Sequence, residues 1–183
     1  ADGTPVKFWG VNAFPPRNEE RMRQQAGLLA AMGVNLVRIH PIQSQLRNPI
    51  ESDRLDEYDL WFSILKDNGI YTQWSVFYPH RISEDDGYPL YSELNNGSTS
   101  GLVTVFPELQ ALEWAYLEPL MNHINPYTGL SYADDPALAI IEVRNEDSIF
   151  FHNPLTGLSQ NYPQHAAVLQ GDWAEWLTDK YGT

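Results

Sequence analysis

The strongest constraint on this fold is an alternation that runs four times along the chain. Short β-rich apolar runs lie at 6–12 (VKFWGVN), 36–42 (LVRIHPI), 70–78 (IYTQWSVFY) and 137–143 (ALAIIEV). Each is followed by a longer segment with helical spacing, at 18–32, 55–68, 108–124 and 164–181. That order implies βαβ units on a parallel sheet. A complete eight-unit β/α barrel takes about 250 residues, with a lower bound near 200. The chain has 183 residues. Four units in that length make half a barrel, completed by missing sequence or by dimerisation. The flat alternative is an open four-stranded parallel sheet with helices on both faces. Gly10, Gly33 and Gly69 stand alone, so no glycine-rich phosphate loop supports a nucleotide-binding version. The whole of 1–183 reads as a single half-barrel domain.

Local signals support the helices. Asn18 is placed to cap the first, Glu19 and Glu20 lie in its first turn, and Gly33 ends it. Met22, Ala26, Leu29 and Met32 form its apolar stripe; Tyr58, Trp61, Phe62 and Leu65 form that of the second, which Asn68-Gly69 ends. Pro107 opens the third, and Pro119 inside it predicts a kink or an early stop. Val168, Leu169, Trp173, Trp176 and Leu177 are the apolar residues of the fourth. The segment 79–105 is long and polar, of the kind that is usually functional or mobile. Turn-rich 125–135 and a loop at 148–163 complete the connections.

Composition removes several functions. The net charge of −13, with only three lysines and no basic run, disfavours nucleic acid and anionic membranes as partners. No apolar stretch is long enough to span a bilayer. With no cysteine, disulfides, thiolate nucleophiles and Cys-based metal sites are excluded. The sequence begins at Ala1 with no signal-like segment. A processed secreted or periplasmic enzyme looks like this, as does a piece of a longer chain; the first is the expectation taken.

The sharpest chemical signal is Arg144-Asn145-Glu146-Asp147 at the end of the fourth strand. In parallel β/α folds the C-terminal strand ends face the ligand. A glutamate there is suited to donate a proton, and the asparagine beside it to bind a hydroxyl. The same residues equally suit a helix cap or a solvated loop. Arg38 and His40, two apart, share one strand face. Glu142 sits in an otherwise apolar strand, and a buried lone carboxylate is costly, so Arg38 is its expected partner. His40 and His80 are too few to hold a metal, and no cofactor is expected. Trp61, Trp114, Trp173 and Trp176 fall on helical stripes and read as core, whereas Trp9 and Trp74 alternate along strands. Trp9, Tyr78, Tyr88 and Tyr91 are candidates for aromatic contact with a ligand. The acidic Glu84-Asp85-Asp86 reads as a solvated loop tip. A Schiff-base lyase is disfavoured: Lys66 and Lys180 read as helical, and Lys7 lies at the wrong end of the first strand.

Four segments together resemble the N-terminal half of a clan A glycoside hydrolase, of the family-five cellulase and mannanase kind. They are Asp2-Gly3-Thr4-Pro5 with Phe8-Trp9-Gly10-Val11-Asn12; Met32-Gly33-Val34-Asn35-Leu36-Val37-Arg38-Ile39; Asn68-Gly69-Ile70-Tyr71; and Asp134-Asp135-Pro136 through Asn145-Glu146. The resemblance implies the first half of a (β/α)8 barrel. It implies a retaining glycosidase in which Glu146 is the general acid/base, Asn145 binds a sugar hydroxyl, and Arg38 orients the nucleophile. That nucleophile comes from a seventh strand, which this chain does not reach. Where many relatives end strand three with a substrate-facing histidine, this chain has Phe77 and Tyr78, with His80 just beyond. With His40, Tyr78, Trp9 and Tyr88, His80 is an expected substrate-binding residue. The expected partners are a carbohydrate substrate and a second copy of the chain across the open edges. The alternative is a catalytically inactive half-barrel that binds sugar or self-associates.

Overall fold

The structure, a computed structural model, describes residues 5–150 and 157–182. Asp2, Gly3, Thr4 and His152 lie outside the described residues. The chain divides into two compact units, one formed by residues up to Tyr78 with Ala115–Asn145, the other by Pro79–Trp114 with the residues from Glu146 onward.

The first unit holds a sheet of four parallel strands in sequence order: β1 (Gly10–Asn12), β2 (Leu36–Ile39), β3 (Tyr71–Phe77) and β4 (Leu138–Arg144). Helices α1 (Glu19–Ala31) and α2 (Leu55–Asp67) follow β1 and β2. Asn18 caps α1, its side chain accepting the Arg21 N–H at 3.0 Å, and Gly33 turns the chain out at φ +80°. The buried stripe of α1 is shorter than its sequence spacing suggests: Met22 and Ala26 are buried, but Met32 is exposed. On α2, Tyr58, Trp61, Phe62 and Leu65 are all buried. Trp74 packs from β3 against Phe62 and Tyr132 in the same core, so it belongs to the helix side rather than a barrel interior.

Two strands are shorter than their patterns suggest. β1 starts at Gly10 instead of residue 6, because β2 begins only at Leu36, which pairs with Gly10. Ahead of that pair Asn35 holds the chain: its N–H donates to the Trp9 carbonyl at 3.1 Å, and its side chain donates to the Lys7 carbonyl at 2.8 Å and accepts the Trp9 N–H at 2.7 Å. β2 stops at Ile39, just before His40 and Pro41. β4 lies at the sheet edge, and Ile140, Ile141 and Val143 on its two faces are exposed.

The helix α3 (Pro107–Asn122) continues through Pro119 for one further turn before stopping. Its residues Tyr116, Leu117 and Leu120 join the core of the first unit, and Leu109 joins that of the second.

In the second unit the long segment after β3 is organised around its own core. His80 to Ile82 run antiparallel to Gly97 to Thr99, with Ile82 N–H on the Gly97 carbonyl and Thr99 N–H on the His80 carbonyl, both at 3.0 Å. Ile82, Tyr88, Leu94, Leu102, Val103, Phe106 and Leu109 are buried together, with Leu158 of the four-residue helix α4 (Leu158–Asn161) and Ala166 of α5 (Pro163–Tyr181). The Glu93 carboxylate accepts the first N–H groups of α5, Gln164 at 2.8 Å and His165 at 3.2 Å. Beyond that first turn α5 buries little. Trp173 and Trp176, expected in a core, are exposed and stack on each other at 4.9 Å, because none of the described residues of the unit covers that face. Trp114 is exposed as well.

Candidate active site

Parallel pairing aligns the C-terminal strand ends of the first unit. Asn12 lies beside Arg38, Arg38 beside Gln73, and Ser75 beside Glu142. Their side chains share a face, and Arg38 is the hub. Its Nε donates to Glu142 Oε2 at 2.8 Å; its Nη2 lies 2.7 Å from that oxygen, 3.0 Å from Ser75 Oγ and 2.8 Å from Asn145 Oδ1. Nη1 reaches Asn12 Oδ1 at 3.4 Å. Gln73 Nε2 adds a 3.0 Å hydrogen bond to Glu142, and His40 Nδ1 lies 2.8 Å from Ser75 Oγ. The Tyr78 ring, half exposed, stands 5.4 Å from His40. The Arg38–Glu142 pair expected from the lone acid in an apolar strand is present.

Burial alone would raise the Glu142 carboxyl. The Arg38 and Ser75 hydrogen bonds, the Arg38 charge and the Gln73 amide outweigh burial and hold it below the ordinary glutamate range. A depressed folded value means stability that is full above the unfolded carboxyl range and lost as pH falls through the folded one. Arg38→Met is expected to cost about 2 kcal/mol at neutral pH and to flatten this acid-side loss. Urea denaturation at pH 7 and pH 4 reads both effects.

Because the Asn145 oxygen is held by Arg38, its amide NH2 is the end left to donate. The Asn145 N–H binds the Phe77 carbonyl at 3.0 Å, which fixes the turn leaving β4. These groups make a preorganised polar surface with donors suited to sugar hydroxyls. Gln73, Ser75 and Asn12 escape the sequence reading. Their signal is the alternation of polar Gln73 and Ser75 with apolar Trp74 and Val76 along β3.

The other expected site residues are placed differently. Glu146 opens the second unit, exposed, with φ +49°. His80 is only 3% exposed, with Nδ1 3.9 Å from Glu113 Oε1 in that unit's interior. Tyr88 is 6% exposed; burial pushes its phenol up, and its OH lies 2.9 Å from His165 Nε2. Neither ring presents a face to a sugar, so both expectations are corrected: the segment after β3 folds over them. Trp9 is exposed but precedes β1, at the N-terminal strand ends. It lies three residues before Asn12, about 10 Å along the strand from the Arg38 level and at the end away from ligands in such folds. The acidic 84–86 turn is exposed, as expected of a solvated tip. Among the described residues no group of three or more His, Asp or Glu could hold a metal ion. Among them, too, no helix is long and apolar enough to cross a membrane.

Four parallel strands in sequence order on one sheet, with a polar cluster at their C-terminal ends, form half of a β/α barrel, a fold like that of known glycoside hydrolase structures. Known structures agree. An endo-1,4-β-mannanase from Rhizomucor miehei superposes with a TM-score of 0.57 at 19% identity, over 80% of this chain and 45% of its own. An endo-β-1,4-mannanase from Thermotoga petrophila gives 0.53 at 17% identity, over 76% of this chain and 35% of its own. A glycoside hydrolase family 5 mannosidase from Rhizomucor miehei, a mutant in complex with mannosyl-fructose, gives 0.59 at 12% identity, over 88% and 50%. The chain thus spans half or less of the length of these structures. No protein-family model and no curated protein matches the sequence.

Proposed function

We propose that this half-barrel carries the acid/base side of a retaining β-glycoside hydrolase acting on β-linked polysaccharide or oligosaccharide. The observation that carries the reading is the Arg38–Asn145 hydrogen bond, which turns the asparagine amide to donate, immediately before Glu146. Asn145 holds the sugar hydroxyl beside the scissile bond. Glu146 gives its proton to the leaving oxygen and later takes one from the attacking water. In a retaining site a second carboxylate stands about 5–5.5 Å from the acid/base; the reading assigns it to further β/α units beyond the four described here or to a second copy of the chain. The mannanase and mannosidase neighbours favour a β-mannan as substrate.

Sugar release from β-mannan and cello-oligosaccharides, with calorimetric binding of the same sugars, tests this. Turnover that drops by about 10²–10⁴-fold in Glu146→Gln supports the enzyme reading. Asn145→Ala is expected to weaken binding by about fivefold, the worth of one hydrogen bond. Sugar binding without turnover, persisting in Glu146→Gln, supports the second reading, an inactive half-barrel that binds carbohydrate or self-associates. The exposed β4 edge favours that reading, and light scattering checks it through the mass in solution. A chain that neither binds nor cleaves these sugars overturns both.

A further inference from the structure

Glu146 has a backbone conformation that disfavours any residue bearing a Cβ, with φ +49°. Something must hold it there. The next residue, Asp147, accepts the Gly101 N–H through Oδ1, within the same compact unit. Gly101 is itself left-handed, at φ +73°, and follows Thr99, which is fully buried. Both the N–H and the hydroxyl of Thr99 bind the His80 carbonyl at 3.0 Å, beside the Arg81–Ser98 bridge. The Gly101 amide is therefore presented by a hydrogen-bonded ladder rather than by a loose loop. The second Asp147 oxygen, Oδ2, is buried without a hydrogen-bond partner among the described residues. A bare carboxylate oxygen is a poor way to gain stability, and such groups in native structures call for another explanation.

We propose that Asp147 is the positioning residue for Glu146: its tether to the Gly101 amide fixes the left-handed turn that presents the Glu146 carboxyl. The importance of this role rests on Glu146 being the acid/base of the site; the tether itself does not. It predicts that the state of Asp147 is transmitted to the backbone of Glu146, which a purely space-filling aspartate would not do.

NMR of the labelled full chain tests it. In the wild type the Gly101 amide is expected to be protected from exchange, and Glu146 to show left-handed carbon shifts. In Asp147→Ala the Glu146 shifts move to those of ordinary backbone, and the Gly101 amide exchanges about tenfold faster or more. In Asp147→Asn, which keeps an acceptor, both return to wild-type values. Unchanged Glu146 shifts in Asp147→Ala overturn the proposal. Should that variant fail to fold by circular dichroism, the wild type decides, and an unprotected Gly101 amide or ordinary-backbone Glu146 shifts overturn it. Glu146→Gln leaves the tether in place. Loss of the glycosidase reading through that variant is thus distinguishable from loss of this one.

Discussion

Replacing Gly97 with alanine is expected to destabilise the second unit by more than about 3 kcal/mol. Gly97 has φ +70°, which alone disfavours a side chain. A Cβ at this position would also lie 2.0 Å from the Ile82 carbonyl oxygen and 3.1 Å from its carbon. Those are backbone atoms, and the same pair of residues is joined by the Ile82 N–H to Gly97 carbonyl hydrogen bond. The clash cannot be relieved by a rotamer change; the antiparallel ladder itself must open. Gly129 is the control. Its φ is +71°, but nothing lies within 4 Å of its added Cβ. Gly129→Ala is therefore expected to cost only about 1 kcal/mol, the conformational part alone. Urea midpoints of the two variants separate steric from conformational cost. Equal losses would place the whole effect in φ and contradict the close approach.

That ladder marks where sequence reading runs out. The four β/α units are legible because each depends on local pattern: Asn18 caps its own helix, Gly33 ends it, and Trp61 and Phe62 fall on one helical face. The Arg38–Glu142 pair is legible too, although the residues are far apart in sequence, because a carboxylate in an apolar strand demands a cation. The burial of His80 and Tyr88 is not legible in the sequence, for a different reason. What buries them is set by residues distant in the chain: Tyr88 meets His165, and Glu93 caps the helix carrying that histidine. Nothing local in a polar, glycine-rich segment announces a core. The same reasoning covers β1, whose apolar residues before Gly10 look like strand but have no facing strand to pair with. Register sets Arg38 beside Gln73, and the length of the arginine side chain then carries its guanidinium along the sheet to Ser75, Glu142 and Asn145.

Asp59 carries the second large effect, and its sign depends on the substitution chosen. It is a buried carboxylate on α2, outside the candidate active site. It accepts the Tyr132 hydroxyl, and its other oxygen lies 2.8 Å from His123 Nε2; its carbonyl accepts Asn125 Nδ2 at 2.9 Å. Burial raises the carboxyl above the ordinary aspartate value; the Tyr132 and His123 hydrogen bonds oppose the rise without cancelling it, and Asp56 adds to it. A raised acid holds its proton more tightly folded than unfolded. Its contribution is therefore largest at low pH and declines as pH rises from the unfolded value, near 3.8, through the folded one. Asp59→Ala is expected to cost about 3 kcal/mol at pH 7, because the Tyr132 hydroxyl and the His123 ring lose their partner in a closed interior. Asp59→Asn keeps an acceptor for Tyr132 and offers a donor to neutral His123, without the charge. It is expected to match or exceed wild-type stability at pH 7 and to lose the decline that sets in above the unfolded aspartate value. Denaturant midpoints from acid to neutral pH decide the matter. An asparagine variant as damaged as the alanine one would mean that the carboxylate charge itself, through an ion pair with protonated His123, holds the α3–β4 connection on α2.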